Sequence, residues 1–261
     1  MGRLDGRVAL ITGGGRGIGR SIALAYAREG CSVAVSSRTQ KEIDRVADEV
    51  RALGPRALAV AADVMRLADI KSCVSRTLSE LGQLDILVNN AGGVVIPHDP
   101  RDLMAVRHGD QAFIENLTLN LVSAQRATQE ALPHMLERKY GRIIHIGSGY
   151  AKRSGGPLSY TAAKHGLIGL ARALAAEVAE HGITVNCLCP GWVETQLVDW
   201  KALALQWGTD EAGARAKAAR ENLQNRVGLP DEMGPMAVLL ASEEAHNITG
   251  QVLSVDGGYR V

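Results

Sequence analysis

Short apolar segments alternate with longer amphipathic ones along most of this 261-residue chain. The short segments have the length and composition of buried strands, and they lie near Val8, Ser32, Ala57, Asp85, Arg142, Thr184 and Val252. Helical patterns occupy most of the intervals between them. Strands that are buried on both faces belong to a parallel sheet, whose crossover helices cover the two faces. The chain is therefore predicted to form an α/β fold with a doubly wound parallel sheet of about seven strands.

The first predicted strand leads directly into the glycine-rich run Gly13-Gly-Gly-Arg-Gly17-Ile-Gly19, and a helical pattern follows. Glycines let the backbone approach a phosphate closely, and the N–H groups and dipole of the next helix favour its negative charge. The spacing is G-x-x-x-G-x-G, whereas the common dinucleotide fingerprint is G-x-G-x-x-G. The run predicts a phosphate-binding turn, although a glycine-rich run is also compatible with a tight turn alone.

A phenol and an ammonium group lie four residues apart at Tyr160 and Lys164, and the hydroxyl of Ser148 precedes them. Residues four apart share one face of a helix. The ammonium group can therefore stabilise the phenolate and is predicted to lower the tyrosine pKa from its usual value of about 10. A tyrosine with such a pKa can act as a general acid or base. Taken alone, the Tyr-x-x-x-Lys spacing is more typical of a surface pair.

Several motifs stand together in one order along the chain: Thr12-Gly-x-x-x-Gly17-Ile-Gly19, Asn89-Asn-Ala-Gly92, Ser148, Tyr160-x-x-x-Lys164, Pro190-Gly191 and Asp256-Gly-Gly258. These motifs and their order resemble those of the classical short-chain dehydrogenases/reductases, and the resemblance extends from Leu4 to Tyr259. The resemblance implies a single Rossmann-like NAD(P)-binding domain over residues 1–261, with residues 195–228 forming a substrate lid. The alternative for residues 195–228 is a surface helical hairpin that only packs.

The resemblance also assigns catalytic roles. Tyr160 is the proton donor in carbonyl reduction, and Lys164 lowers its pKa and holds the nicotinamide ribose. Ser148 hydrogen-bonds the substrate oxygen, unless its hydroxyl only caps the backbone at a strand end. Asn120 matches the family's fourth catalytic member, which shapes a water path to the lysine, and Asn116 is a neighbouring candidate. Hydride transfer itself belongs to the cofactor.

Cofactor preference is predicted from the charge after the second strand. An acidic residue there bonds the ribose hydroxyls of NAD, whereas a basic one accommodates the extra phosphate of NADP. Here the strand ends in Ser37-Arg38-Thr39 without a carboxylate, and Arg16 adds a second positive group. A guanidinium group can bind phosphate through two hydrogen bonds. The chain is therefore predicted to prefer NADP(H), with NAD(H) possible. The alternative is that both arginines are merely solvated.

The resemblance implies the remaining cofactor contacts. They are Gly13, Gly17, Ile18, Gly19, Ser37, Asp63, Val64, Asn90, Ala91, Gly92, Pro190, Gly191, Val193 and Thr195, together with Tyr160 and Lys164.

The predicted reaction interconverts a ketone and a secondary alcohol. The motifs resemble both 3-oxoacyl-acyl-carrier-protein reductases and NAD-linked hydroxyacid or cyclic-alcohol dehydrogenases, and they do not choose between them. Tyr150, Trp192 and Trp200 are predicted to form an apolar pocket wall beside Ser148 and Tyr160, or else to lie in the core. A dinucleotide-sensing protein without catalysis is disfavoured, because the chain keeps both the tyrosine and the lysine.

Two departures from the family pattern concern loops. Ser148 precedes Tyr160 by twelve residues, one fewer than is common in the family, so the intervening loop is shortened. The stretch over residues 93–119 is longer than usual, and its segments Pro97-His-Asp-Pro-Arg101 and Arg107-His-Gly-Asp110 read as an added loop. That loop is predicted to be a surface insertion, with substrate contact as the alternative.

Composition excludes several classes of partner. A net charge of +1 gives no basic excess for nucleic acid or an anionic membrane. The first strand begins by Val8 and no apolar run approaches a bilayer-spanning length, so a cytoplasmic protein is predicted. The four cysteines and seven histidines show no ligand spacing, which predicts reduced thiols and no metal site. The resemblance implies a homotetramer or homodimer.

Overall fold

The computed structural model describes residues 2–95 and 109–260. Within them, seven parallel strands form one sheet in the order β3-β2-β1-β4-β5-β6-β7. The strands are β1 (Val8–Thr12), β2 (Ser32–Ser37), β3 (Ala57–Ala61), β4 (Ile86–Asn89), β5 (Gly141–Ile146), β6 (Ile183–Pro190) and β7 (Val252–Val255). The predicted α/β fold class is confirmed. The chain winds one way from β1 to β3 and the other way from β4 to β7, which creates a crevice between β1 and β4.

Helices cover both faces of the sheet. They are α1 (Gly17–Arg28), α2 (Gln40–Ala52), α3 (Leu67–Leu81), α4 (Asp110–Leu117), α5 (Ser123–Arg138), α6 (Leu158–Val178), α7 (Trp200–Trp207), α8 (Glu211–Ala219) and α9 (Gly234–Ala241). Buried side chains of α1, α2 and α9 pack on one face, and those of α3, α5 and α6 pack on the other. Apolar residues thus fill the interfaces between the helices and both faces of the sheet. For this reason the strand sequences are nearly continuous hydrophobic runs.

The segment over residues 195–228, here named the α7–α8 segment, has a small core of its own. Trp200, Ala204, Ala214 and Ala218 are buried together in it. Its far end returns to the sheet through a backbone bridge between Val193 and Gly228. The segment therefore stands over the end of β6 as a packed unit.

A buried carboxylate ties together the amino-terminal edge of the sheet. The side chain of Asp85, just before β4, is fully buried. It accepts hydrogen bonds from the backbone N–H of Val8 at 2.8 Å and from Nε2 of Gln83 at 2.7 Å. Arg7 and Arg138 lie 3.4 and 3.6 Å from its Oδ1 atom. A buried charge is tolerated only when it is paired and hydrogen-bonded in this way.

Other predictions concern burial and the inserted loop. All four cysteines are buried, as predicted. Among the helices of the described ranges, none combines the length and the apolar character needed to cross a membrane. The predicted loop segments at residues 97–101 and 107–108 lie outside the described residues.

Candidate active site

The predicted site residues gather at the carboxyl-terminal edge of the sheet. Because all seven strands are parallel, the residues that follow β1, β2, β4, β5 and β6 meet at one edge. The glycine turn, Asn90 and Ser148 follow their strands, and Ser37 and Pro190 are the last residues of β2 and β6. The doubly wound topology thus brings the separate sequence motifs into one crevice.

The glycine turn has no room for side chains. Gly13 has a φ of +65°, and a Cβ atom there would lie 2.9 Å from Cα of Ala91. A Cβ atom at Gly19 would lie 2.4 Å from the carbonyl oxygen of Gly13. Both distances are below any real Cβ contact. The turn therefore presents bare backbone N–H groups at the start of α1, which fits the pyrophosphate of a dinucleotide.

Hydrogen bonds of two side chains join this turn to the chain after β4. Asn90 donates from Nδ2 to the carbonyl oxygens of Thr12 and Gly13, at 2.9 and 3.0 Å. The hydroxyl of Thr12 accepts from the backbone N–H groups of Asn90 and Ala91, both at 3.1 Å. Thr12 is the first residue of the first family motif, but no role was predicted for it. Its place directly before the first glycine is the only sequence signal for this function.

The opposite side of the crevice comes from the chain after β6. A Cβ atom at Gly17, whose φ is +53°, would lie 3.3 Å from Cγ2 of Thr195. Val193 is buried, and Gly191 lies against Asp256, where a Cβ atom would be 3.1 Å from the aspartate Cβ. Thr195 therefore packs directly against Gly17 of the glycine turn.

Ser148, Tyr160 and Lys164 meet beside the end of β5. Lys164 is 4% exposed, and its Nζ donates to the carbonyl oxygen of Ile146 at 2.8 Å. The same Nζ lies 5.6 Å from the centroid of the Tyr160 ring. Ser148 lies close enough to the Tyr160 hydroxyl to lower its pKa. Oγ of Ser148 also accepts from the backbone N–H of Tyr150 at 3.2 Å, so it caps a short 3₁₀ turn as well.

The pKa values of this group follow from burial. Burial raises the pKa of Tyr160 to about 12, and the nearby Ser148 hydroxyl acts in the opposite direction. Burial lowers the pKa of Lys164 to about 8, because its ammonium group loses hydration. The predicted lowering of the Tyr160 pKa is therefore wrong in direction. The cost of burying the phenolate outweighs the attraction of an ammonium group 5.6 Å from the ring.

Asn120 lies in a π-helical turn, Thr118–Val122, between α4 and α5. Its Oδ1 accepts from the backbone N–H of Gly93 at 2.9 Å, and its Nδ2 donates to the carbonyl oxygen of Gly93 at 2.8 Å. Asn116 makes the matching pair of bonds with Val95, at 2.9 and 3.1 Å. Both asparagines therefore fix the chain that leaves β4.

Gly92 brings Asn120 close to Lys164. A Cβ atom at Gly92 would lie 2.7 Å from Oδ1 of Asn120 and 3.3 Å from Nζ of Lys164. Any larger residue would push into the space between these two side chains. The structure thus places the fourth predicted catalytic residue beside the lysine, and Asn116 one helical turn further away.

Five aromatic side chains cluster between the site and the α7–α8 segment. Trp192 is at the centre, with ring centroids 6.3 Å from Tyr150, 5.9 Å from Trp200 and 6.0 Å from Trp207. Tyr259 contacts Tyr150 at 6.0 Å. Trp200 is only 5% exposed, so it packs within the α7–α8 segment. Tyr150 and Trp192, both partly exposed, remain as the wall nearest to Ser148.

The end of β2 carries the groups predicted to select the cofactor. Oγ of Ser37 is buried and has no hydrogen-bond partner within the described residues. Arg38 is exposed, and no ion pair of the described residues includes it. Nη1 of Arg16 lies 3.6 Å from Oε1 of Glu42, a residue that sequence reasoning did not select.

Asp63 and Val64 follow β3 at the same edge of the sheet. Asp63 accepts at Oδ1 from the backbone N–H of Met65 at 3.0 Å, which is the turn-forming role open to it from sequence. Val64 is partly buried against the core between the sheet and helices α3, α5 and α6. Ile18 packs against the core on the opposite face of the sheet, which α1, α2 and α9 cover.

The model of the short chain dehydrogenase family matches residues 7–203. The chain belongs to the short-chain dehydrogenase family. This short-chain dehydrogenase is 36% identical over 255 residues to the 3-oxoacyl-acyl-carrier-protein reductase FabG of Escherichia coli, with 97% of each chain covered. A solved actinorhodin polyketide ketoreductase with NADPH has a TM-score of 0.91 at 32% identity, covering 100% of this chain and 99% of that one.

Carveol dehydrogenase from Mycobacterium avium, solved in complex with NAD, also has a TM-score of 0.91, at 28% identity and with 99% of each chain covered. These similarities confirm the predicted family and the oxidoreductase class of this short-chain dehydrogenase. Its relatives bind NADPH in one case and NAD in the other, so the family shows a nicotinamide dinucleotide as cofactor without showing which one.

Proposed function

We propose that this short-chain dehydrogenase is an NADP(H)-dependent oxidoreductase that interconverts a ketone and a secondary alcohol, with Tyr160 as general acid and base. One observation carries the proposal. Ser148 lies close enough to the phenol of Tyr160 to act on its pKa, and the buried ammonium group of Lys164 lies beside them at the same sheet edge as the glycine turn. Two hydroxyl donors can therefore act on one substrate oxygen next to the dinucleotide crevice.

The chain supplies orientation and a proton. A bound nicotinamide supplies or accepts the hydride. Ser148 holds the carbonyl oxygen, and the phenolic Oη of Tyr160 gives it a proton as negative charge develops there. The raised pKa of Tyr160, about 12, keeps the phenol protonated at neutral pH, as a proton donor requires. Lys164 then stabilises the phenolate that remains, and Asn120 keeps the chain after β4 fixed beside it.

The rate of ketone reduction is expected to fall above about pH 8. Burial lowers the pKa of Lys164 to about 8, so its ammonium group is lost as the pH rises through that value. Tyr160, with a pKa of about 12, is still protonated there and does not cause the fall. Initial rates with saturating cofactor between about pH 6 and about pH 10 test this. A rate that stays constant to about pH 10 contradicts it.

Three observations support the NADP(H) preference. Arg38 is exposed and the described residues give it no ion-pair partner, so its guanidinium group is open to a phosphate. The buried Ser37 hydroxyl lacks a partner in the same part of the chain and can donate to a ribose phosphate. Arg16 adds a second cation at the glycine turn. A phosphate on the ribose would thus meet two cations and a hydroxyl.

Arg38→Asp is expected to weaken NADPH binding by about tenfold or more, because a phosphate contact is replaced by a repulsive carboxylate. NADH affinity is expected to hold or improve. Fluorescence titration of the purified protein with each dinucleotide measures both. Arg51→Asp makes the same charge change at the far end of α2, where Arg51 pairs with Asp48, and is the control. Equal binding of NADPH and NADH by the unmutated protein would overturn the preference.

The aromatic wall favours a ketone with an apolar or cyclic body, since Tyr150 and Trp192 are the partly exposed rings nearest to Ser148. Similarity to carveol dehydrogenase and to a polyketide ketoreductase supports the same class. Similarity to FabG at 36% identity favours a second candidate, a 3-oxoacyl thioester on an acyl carrier protein. The ratio of kcat/KM values for a cyclic ketone and for an acetoacetyl thioester distinguishes the two.

Three further predictions belong to the same proposal. The α7–α8 segment covers the substrate, because its core continues into the aromatic cluster around Trp192. The protein is cytoplasmic, and it assembles as a homotetramer or homodimer. Size-exclusion chromatography with light scattering measures the assembly.

A further inference from the structure

A carboxylate lies near the end of β2 although the stretch Ser37-Arg38-Thr39 contains none. Glu42 belongs to the first turn of α2, five residues beyond Ser37 in the chain. A Cβ atom at Gly15 would lie 3.3 Å from Oε2 of Glu42 and 3.0 Å from Oγ of Ser37. The carboxylate and the partnerless hydroxyl therefore approach one point of the glycine turn.

Glu42 also engages one of the two cations proposed to bind phosphate. Its Oε1 lies 3.6 Å from Nη1 of Arg16, whose side chain is 52% exposed. Arg38 has no such partner among the described residues. The two arginines are thus unequal: Arg38 is open to a phosphate, whereas Arg16 is already paired with a negative charge.

We propose that Glu42 limits the preference of this enzyme for NADPH over NADH. The inference rests on the proposed function. The Glu42 carboxylate stands where a carboxylate can accept hydrogen bonds from ribose hydroxyls, the role usually given to an acid at the end of β2. Against a ribose phosphate the same carboxylate is a like charge, and it competes for Arg16. Both effects favour the dinucleotide without the phosphate.

The size of the effect follows from exposure. The Glu42 side chain is partly exposed, so solvent screens its charge and no large energy is stored in the pair with Arg16. Removing one such charge near a phosphate changes affinity by about two- to fivefold. Glu42 is therefore expected to adjust the cofactor preference, whereas Arg38 decides its direction.

The test is the ratio of the dissociation constants for NADPH and NADH, measured by fluorescence titration. Glu42→Gln keeps the size of the side chain and removes the charge, and Glu42→Lys inverts the charge. The preference for NADPH is expected to increase by about two- to fivefold in the first variant and further in the second. Glu49→Gln is the matched control, because Glu49 lies on the same helix and pairs with Arg20 instead.

The inference is overturned if Glu42→Gln and Glu42→Lys leave the ratio at the unmutated value while Arg38→Asp still weakens NADPH binding. In that case the proposed function stands and only the role of Glu42 fails. Failure of the proposed function is a different result: the unmutated protein binds neither dinucleotide, binds NADPH no more tightly than NADH, or reduces no carbonyl.

Discussion

Tyr160→Phe is expected to lower the rate of ketone reduction by about a thousandfold while NADPH affinity stays close to that of the unmutated enzyme. The substitution removes the phenolic hydroxyl beside Ser148, and it keeps the ring that lies beside Lys164. Binding of the dinucleotide is expected to depend mainly on the glycine turn and the chain after β6, and the substitution changes neither.

Single-turnover rates and fluorescence titration measure the two quantities separately. Tyr140→Phe is the matched control, because it makes the same chemical change at a partly buried tyrosine whose hydroxyl is buried and has no hydrogen-bond partner in the described part of the chain. That control is expected to keep full activity. If Tyr160→Phe retained turnover within about tenfold of the unmutated enzyme, Tyr160 would not be the general acid. The dinucleotide-sensing alternative requires the unmutated protein to reduce no carbonyl at all.

Asp85→Ala is expected to lower the free energy of unfolding by about 3 to 5 kcal/mol. The change removes a fully buried acceptor and leaves the N–H of Val8, the amide of Gln83 and the nearby guanidinium groups without it. Unpaired buried groups of this kind are among the costliest defects in a folded protein. Asp85 lies at the sheet edge opposite the active site, so cofactor binding by the folded fraction is expected to be unchanged.

Urea unfolding followed by circular dichroism gives the free energies. Asp48→Ala is the control, since Asp48 is 75% exposed and its ion pair with Arg51 is expected to contribute less than about 1 kcal/mol. A loss for Asp85→Ala as small as that of the control contradicts the prediction. It would show that the arginines around Asp85 are stabilised by solvent rather than by the carboxylate.

The fold was predictable because its signals are local. Each strand is a short apolar run, and the glycine turn after β1 cannot accept larger residues. The spacing of Tyr160 and Lys164 pointed to a pair on one helix face, and the family resemblance added Ser148 and Asn120. Parallel strands with a doubly wound order bring such positions to one edge.

What the sequence did not predict depends on distances across the fold. Glu42 is separated from β2 by a turn and reaches Arg16 only because α2 folds back along the sheet. The raised pKa of Tyr160 depends on the depth of burial, which residue spacing does not report. The π-helical turn around Asn120 has no signature in its residues, and Trp200 belongs to the packed interior of the α7–α8 segment.

The aromatic cluster has a spectroscopic consequence. All three tryptophans of the chain, Trp192, Trp200 and Trp207, contact one another through Trp192, so the strands and the helices other than α7 contribute no indole emission. Intrinsic fluorescence therefore observes a single corner of the molecule, where the α7–α8 segment meets Tyr150. Movement of that segment can be followed in the native protein by emission wavelength and quenching, without an attached dye.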